Sequence, residues 1–344
     1  MSVTLSVISA GPGVTVQDAG RPGYLASGLS RGGAVDRLAL AEGAALMGLK
    51  GQGTGAVLEM AGMGGVFEVD APTRIALTGA PMRADLDGAP LVWNAVHRIE
   101  PGQRLSIGGA LSGVYGYLHI GGGIATEAQL GARATHVSAG LGASLTAGDT
   151  LPIAPDPAPD RVALKLSVDN RFQGGEVRVV PSLHSALFPA AEIDRLQSTP
   201  FQRDARGNRM GVRMASDAPG FGTSAGLSIL SEVITAGDIQ IVGDGAPFVL
   251  LADCQTTGGY PRIASVLPCD LPRVAQAPPG AQITFRMVTL DEGTAIERKA
   301  AEDAKIFARR ITPIILRPED LRNLLGHQLI SGVTAGRELQ PEAS

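Results

Sequence analysis

Short apolar runs dominate the chain. VFEVD, RIALTG, RLSIGG, GYLHIGG, EVRVVP, IQIVG, FVLLAD and QITFRMV each predict a strand of four to seven residues bounded by turn formers. Many short strands separated by Gly and Pro point to a barrel or a sandwich. In IQIVGDGAPFVLLAD two apolar strands flank Asp244-Gly245, a pair that supplies positive φ, so a hairpin is predicted there.

Three stretches follow a helical period instead. In AVDRLALAEGAALMGL, Val35, Leu38, Ala45, Leu46 and Leu49 fall on roughly one face, and Asp36 stands where an N-cap belongs. AAEIDRLQST predicts a short helix. From about residue 291 the composition turns charged: IERKAAEDAKIFARRI reads as helix, and RPEDLRNLLGHQLISG places Pro318 and two acids in a first turn, with Gly332 as a stop. Between the strand-rich halves lies PIAPDPAPDRV, residues 152 to 162, whose prolines disfavour both helix and strand pairing. The expected organisation is one β-rich domain over 1–155, a second over 161–290, and a helical tail over 291–344.

Composition narrows the functional classes. With 344 residues, 44% hydrophobic and 18% charged, the chain can bury sizeable cores. A net charge of −4 provides no field to attract nucleic acid, and aromatics are too few for base-stacking platforms. The two cysteines, Cys254 and Cys269, form neither a CxxC pair nor a disulfide framework, which suits a reducing compartment. MSVTLSVISAGPG does not read as a signal peptide and no apolar run approaches a membrane span, so a cytoplasmic location with no membrane partner is expected.

Familiar catalytic signatures are missing. The five scattered histidines do not suggest a metal site, and neither a P-loop nor a GxSxG elbow occurs. GQGTGA, residues 51–56, resembles a dinucleotide turn but follows a predicted helix rather than a strand. None of Lys50, Lys165, Lys299 and Lys305 sits in a Met-Lys biotin-attachment context. Two polar clusters remain: VTVQDAGRPGY (14–24) with GLSRGGAVD (28–36), and DCQTTGGYPRIASV (253–266). Each sets Gln, Asp and Arg among glycines beside predicted strands. Glycine allows close backbone approach, Gln matches a planar amide, and Arg matches a carboxylate. Alternative structural roles are equally concrete: an Asp18–Arg21 turn pair, Thr256 and Thr257 in a strand with a Gly258-Gly259 bulge, Tyr260 in a core, and Cys254 as a small buried hydrophobe.

VTVQDAGRPGY, GGAVDRLALAEGAALMG, AVLEMAGMGGVFEVDAPTRIALTGA, GYLHIGGGIATEAQLGARATH, GNRMGVRM and IVGDGAPFVLLADCQTTGGYPRIASV occur in order over about residues 10–290. Together they resemble the biotin-dependent carboxyltransferase-like family. That family includes 5-oxoprolinase C-type subunits, allophanate hydrolase subunit 2-like and Kip-antagonist-type proteins, and the second carboxyltransferase region of urea carboxylase. The resemblance implies a mainly β fold with a few helices, built as two cyclophilin-like β-barrel domains. It also implies A- and B-type partner subunits, a small amide or lactam substrate, and an ATP-dependent opening of 5-oxo-L-proline to L-glutamate by the assembled complex. Within that reading Gln255, Thr256 and Thr257 are expected to bind the amide beside Gly258 and Gly259, and Gln255, Tyr260, Asp253 and Asp18 are the candidate catalytic groups. Arg262 or Arg209 would hold a carboxylate, Tyr260 would donate or relay a proton, and Gln17, Asp18 and Arg21 would form the opposing wall. Two alternatives stand beside it: carboxyl transfer to urea or a related amide from biotin carried on another chain, and a non-enzymatic antagonist of a kinase inhibitor. The chain departs from the family pattern V-P-x-S-G-A-M-D, which here is Leu29-Ser30-Arg31-Gly32-Gly33-Ala34-Val35-Asp36, and from S-D-R-M-G-Y, which is Gly207-Asn208-Arg209-Met210-Gly211-Val212.

Overall fold

A computed structural model describes residues 3–49, 55–223 and 226–315. Most of GQGTGA and all of RPEDLRNLLGHQLISG lie outside the described residues, as does the remainder of the expected tail. The fold is mainly β with four α-helices among the described residues.

The second half closes into a barrel of seven strands: Gly175–Val180, Arg262–Val266, Asp238–Ile241, Pro247–Leu250, Gly211–Ala215, Phe201–Arg203 and Gln282–Met287, in that neighbour order. The reason is visible in single strands. In GEVRVV, Val177 and Val179 point inward while Glu176 and Arg178 do not, and in QITFRM Ile283 and Phe285 do the same. Phe201 lies 5.5 Å from Phe285 and 6.0 Å from Phe221 between ring centroids, filling the barrel interior. The predicted hairpin is present, with Ile239 opposite Val249 and Ile241 opposite Pro247. Its turn differs from expectation. Gly245 alone takes positive φ (80°), Gly245 N–H donates to Val242 O, and Val242 pairs with Ala246, so Gly243-Asp244-Gly245 is a three-residue loop ending in a left-handed glycine.

The strands of the first half fall into two sheets on a shared core. One contains Val3–Ala10, Gly65–Val69 and Leu105–Ala110; the other contains Val57–Ala61, Tyr115–Ile120 and Thr73–Gly79. Leu5, Val7, Phe67 and Ile107 of the first meet Leu58, Met60, Leu77 and Leu118 of the second. Bridges from Ile124 to both Ala56 and Ile153 stitch the two sheets at one corner.

Thr73–Gly79 is buried along its whole length because both faces are covered. Ile75 and Leu77 enter the core, while Arg74 and Thr78 face the helix Arg37–Met47. That helix begins on Asp36, whose carboxylate accepts from Ala39 N–H at 3.0 Å, as its position predicts. It ends with Arg74 donating to Met47 O at 2.9 Å and Arg161 to Leu46 O at 3.0 Å, cations on otherwise unpaired carbonyls. The apolar face is broader than the period suggests. Leu46 is buried as expected, but Ala39, Leu40, Gly43 and Met47 are buried with it, while Leu38, Ala45 and Leu49 are half-buried against the cluster that Leu46 and Met47 form with Phe307. Gly43 admits the His119 ring, which would lie 2.0 Å from an added Cβ.

The proline-rich segment at 152–162 is pinned rather than free-standing: Asp156 receives a two-pronged bond from Arg74 at 2.6 and 2.9 Å. Farther on, AAEIDRLQST contains the helix Ala190–Ser198, and Leu290–Lys305 starts on a Thr289–Glu292 capping box. Leu271–Gln276 is a helix that the sequence does not announce, because six residues are too few for a periodic signal.

Candidate functional site

The DCQTTGGYPRIASV stretch is a crossover. The chain leaves the barrel after Leu250, passes the end of the neighbouring strand Asp238–Ile241, and re-enters at Arg262. Thr257–Gly258 pairs with Glu232–Val233, and Thr256 O accepts from Ile234 N–H, which fixes the excursion. At Gly258 an added Cβ would come within 2.6 Å of Gln240 Nε2, so any larger residue would have to displace that side chain.

Asp253, Gln255, Thr256 and Thr257 line a cavity of about 520 Å³, and across it stand Ser30, His136 and Ser138. Ser30 Oγ and His136 Nε2 share a hydrogen bond at 2.9 Å; His136 Nδ1 shares another with Ser138 Oγ at 3.2 Å. Ser30 and His136 are both buried. A neutral imidazole has one donor and one acceptor nitrogen, so one tautomer lets Ser30 donate to the ring and the other reverses both bonds. The cavity therefore presents hydroxyls, a carboxamide and a hydroxyl-tethered imidazole, a kit suited to a neutral polar group with both donor and acceptor edges. Sequence reasoning overlooks Ser30 and His136. They are 106 residues apart, and the available signal is that Ser30 stands where the resembled pattern has proline.

Within the motif at 14–24, Gln17 and Asp18 bond to the segment leading into His136, while Arg21 and Tyr24 line a recess beside the cavity. Gln17 is fully buried and donates to Thr135 O at 3.0 Å. Asp18 accepts from Gly20 N–H and Arg133 N–H at 2.8 and 2.6 Å. Arg21 donates to the carbonyls of Gln129, Ala132 and Ala134. The expected Asp18–Arg21 pair gives way to these bonds, which engage both side chains with backbone groups, mostly of the 129–134 segment.

Neither arginine expected to hold a carboxylate is free. Arg209 grips Asp253 in a two-pronged bond at 2.7 and 2.8 Å, reaches Glu59, and donates to Gly33 O at 2.7 Å. Glu59 also accepts from Val35 N–H and the Tyr117 hydroxyl. Arg209 thus ties the barrel to the first half and orients Asp253. Arg262 is buried among Glu232, Asp238, His184 and Val233 O, under the paired strand rather than at the cavity. Gly259 O accepts from Ile229 N–H. Tyr260 is 42% exposed, so it is not a core ring, and it is not among the residues lining the cavity. Asn208 accepts from Met210 N–H at 2.8 Å, a bond a carboxylate would also make, so the turn survives the lost charge.

Cys254 borders the cavity but is buried. Burial, then the negative charges of Asp238 and Asp253, push its thiol up to about 12, so it stays protonated at neutral pH and is a poor nucleophile.

Comparison with known proteins matches residues 27–287 to the family described as carboxyltransferase domain, subdomain A and B. The chain is 32% identical to the 5-oxoprolinase C-type subunit of Escherichia coli (strain K12) over 311 residues, covering 89% of this chain and 97% of that one. It is 30% identical to the 5-oxoprolinase C-type subunit of Haemophilus influenzae over 289 residues, covering 83% and 91%. Its fold matches the crystal structure of the K. lactis urea amidolyase with a TM-score of 0.79 at 23% identity, over 92% of this chain and 21% of that larger one.

Proposed function

This chain belongs to the family of the carboxyltransferase domain, subdomain A and B, and we propose that it is the C-type subunit of an ATP-dependent 5-oxoprolinase. The observation that carries this reading is end-to-end likeness to two 5-oxoprolinase C-type subunits, 97% and 91% of whose lengths are covered. The complex would open 5-oxo-L-proline to L-glutamate together with A- and B-type partners, in the cytoplasm.

A lactam carbonyl is a weak electrophile. Transfer of the γ-phosphoryl group of ATP to its oxygen, with ADP leaving, makes the carbon electrophilic; water adds there, the ring C–N bond breaks as the nitrogen takes a proton, and a second water hydrolyses the resulting acyl phosphate to the carboxylate and inorganic phosphate. In this scheme Gln255, Thr256 and Thr257 hold the amide edge, and the Ser30–His136 pair hydrogen-bonds the carbonyl or moves a proton at the attacking water. Asp253 is held as a carboxylate support by Arg209. A complex carrying Ser30→Ala or His136→Gln should assemble normally and lose about 100-fold or more in kcat. Unchanged kcat for both variants would remove this cavity from the reaction.

The family description itself favours a second reading, carboxyl transfer to urea or a related amide from biotin carried on another chain. The same hydroxyls and carboxamide suit a ureido group. Bicarbonate- and carrier-dependent carboxylation of urea would select it.

A further inference from the structure

The main cavity is lined by hydrogen-bonding groups but, among the described residues, by no arginine or lysine. The arginines lie next door. A recess of about 320 Å³ shares Leu29, Ser30 and Cys254 with the cavity as a common wall. Among its described lining residues are Arg21, Arg31 and Arg37 and no Asp or Glu; Arg21 is buried with Nε and Nη2 committed to backbone carbonyls, so Arg31 and Arg37 are the accessible cations. Arg31 uses Nε on Ala19 O at 3.0 Å, which leaves its two terminal nitrogens without a partner among the described residues. The Arg37 guanidinium likewise makes no hydrogen bond or ion pair among the described residues. Both residues are solvent-accessible.

This arrangement is unfavourable by itself. Arg37 occupies the first position of a helix, where the backbone dipole already presents positive charge, and Arg31 adds a like charge nearby. Desolvation, followed by the Arg31 charge, draws the Arg37 guanidinium down to about 10. An arriving anion relieves that repulsion. Much of the remaining wall is apolar, including Leu25, Leu29, Ile234 and Ala252, with Ser30 and Thr235 adding hydroxyls, so the recess suits an anion attached to a hydrocarbon body better than a bare inorganic ion.

We propose that this recess is a carboxylate subsite for a small organic acid, with Arg31 and Arg37 as its cationic groups and the adjoining cavity receiving the rest of the molecule. The identity of the acid as 5-oxo-L-proline rests on the reading above; the subsite itself does not. It assigns to Arg31 and Arg37 the role that the sequence suggests for Arg209 or Arg262, both already engaged by acids. Arg31 stands at the position that the resembled pattern V-P-x-S-G-A-M-D leaves open, so substrate charge would be read partly by a residue that the pattern does not fix.

The test is calorimetric titration of the full-length chain, wild type and R31Q/R37Q, with 5-oxo-L-proline, cyclopentanecarboxylate, uncharged 2-pyrrolidinone and inorganic phosphate. Binding of a carboxylate should weaken at least about tenfold in the double variant, with each single variant intermediate and 2-pyrrolidinone unaffected. If cyclopentanecarboxylate shows that Arg dependence and 5-oxo-L-proline does not, the subsite stands and the 5-oxoprolinase reading loses its substrate. Equal carboxylate affinity in wild type and double variant overturns the subsite, as does absence of carboxylate binding to wild type. Arginine-dependent phosphate binding tighter than that of either acid also overturns it, in favour of a phosphate site.

Discussion

Replacing Arg171 with methionine should destabilise the protein by about 3–5 kcal/mol, seen as a lower midpoint in equilibrium urea unfolding. Arg171 is buried and serves two buried acids: Nε donates to Asp36 at 2.8 Å, and the two terminal nitrogens donate to Glu42 at 2.7 and 2.8 Å. Asp36 meanwhile caps the helix and accepts from Gln276 at 2.8 Å, while Gln276 Oε1 accepts from Val114 N–H and Tyr115 N–H. Removing the guanidinium strands both carboxylates where the two β bodies meet the helix. The loss should depend on pH. Burial already pushes the Glu42 carboxyl up to about 7 against the pull of Arg171. Without Arg171 it rises further, so the folded variant holds a proton that the unfolded chain releases near 4.3. The Glu42 contribution to its stability is therefore greatest below that value and declines as pH rises through neutrality. Glu42→Gln in the Arg171→Met background should recover part of the loss at pH 8. A cost under about 1 kcal/mol at that pH would show that the network is not holding the helix.

Acid should act through a different group. His119 lies wholly buried under Gly43, with Nε2 2.7 Å from Thr78 Oγ1, and burial draws its imidazole down from 6.5 to about 3. Between those values the unfolded chain takes up a proton that the folded chain refuses. The stability present above pH 6.5 is lost at about 1.4 kcal/mol per pH unit on acidification, reaching about 5 kcal/mol near pH 3. His119→Asn should lower stability at pH 7.5 yet flatten the slope between pH 6.5 and 4. An unchanged slope in that variant would place acid sensitivity elsewhere.

Elements with a strong local period are legible in the sequence. The strand runs, the 239–250 hairpin and the Asp36 cap follow from alternation, turn chemistry and capping. Where several interactions converge from distant segments, legibility falls. Arg209 looks available in GNRMGVRM until Glu59, 150 residues away, folds against it. Gln17 and Arg21 look like ligand-binding groups because buried polar side chains and binding side chains are the same residue types; that both reach backbone carbonyls at 129–135 shows only in the fold. Ser30 and His136 carry no local signature, since only tertiary folding joins them.

The assignment as a 5-oxoprolinase component is tested most directly by phosphate release from this chain co-expressed with A- and B-type partner subunits. ATP hydrolysis should start on addition of 5-oxo-L-proline, form L-glutamate in step with phosphate, and be absent from the chain alone. ATP hydrolysis indifferent to 5-oxo-L-proline, or turnover that appears only with urea, bicarbonate and a biotin carrier, would contradict the assignment.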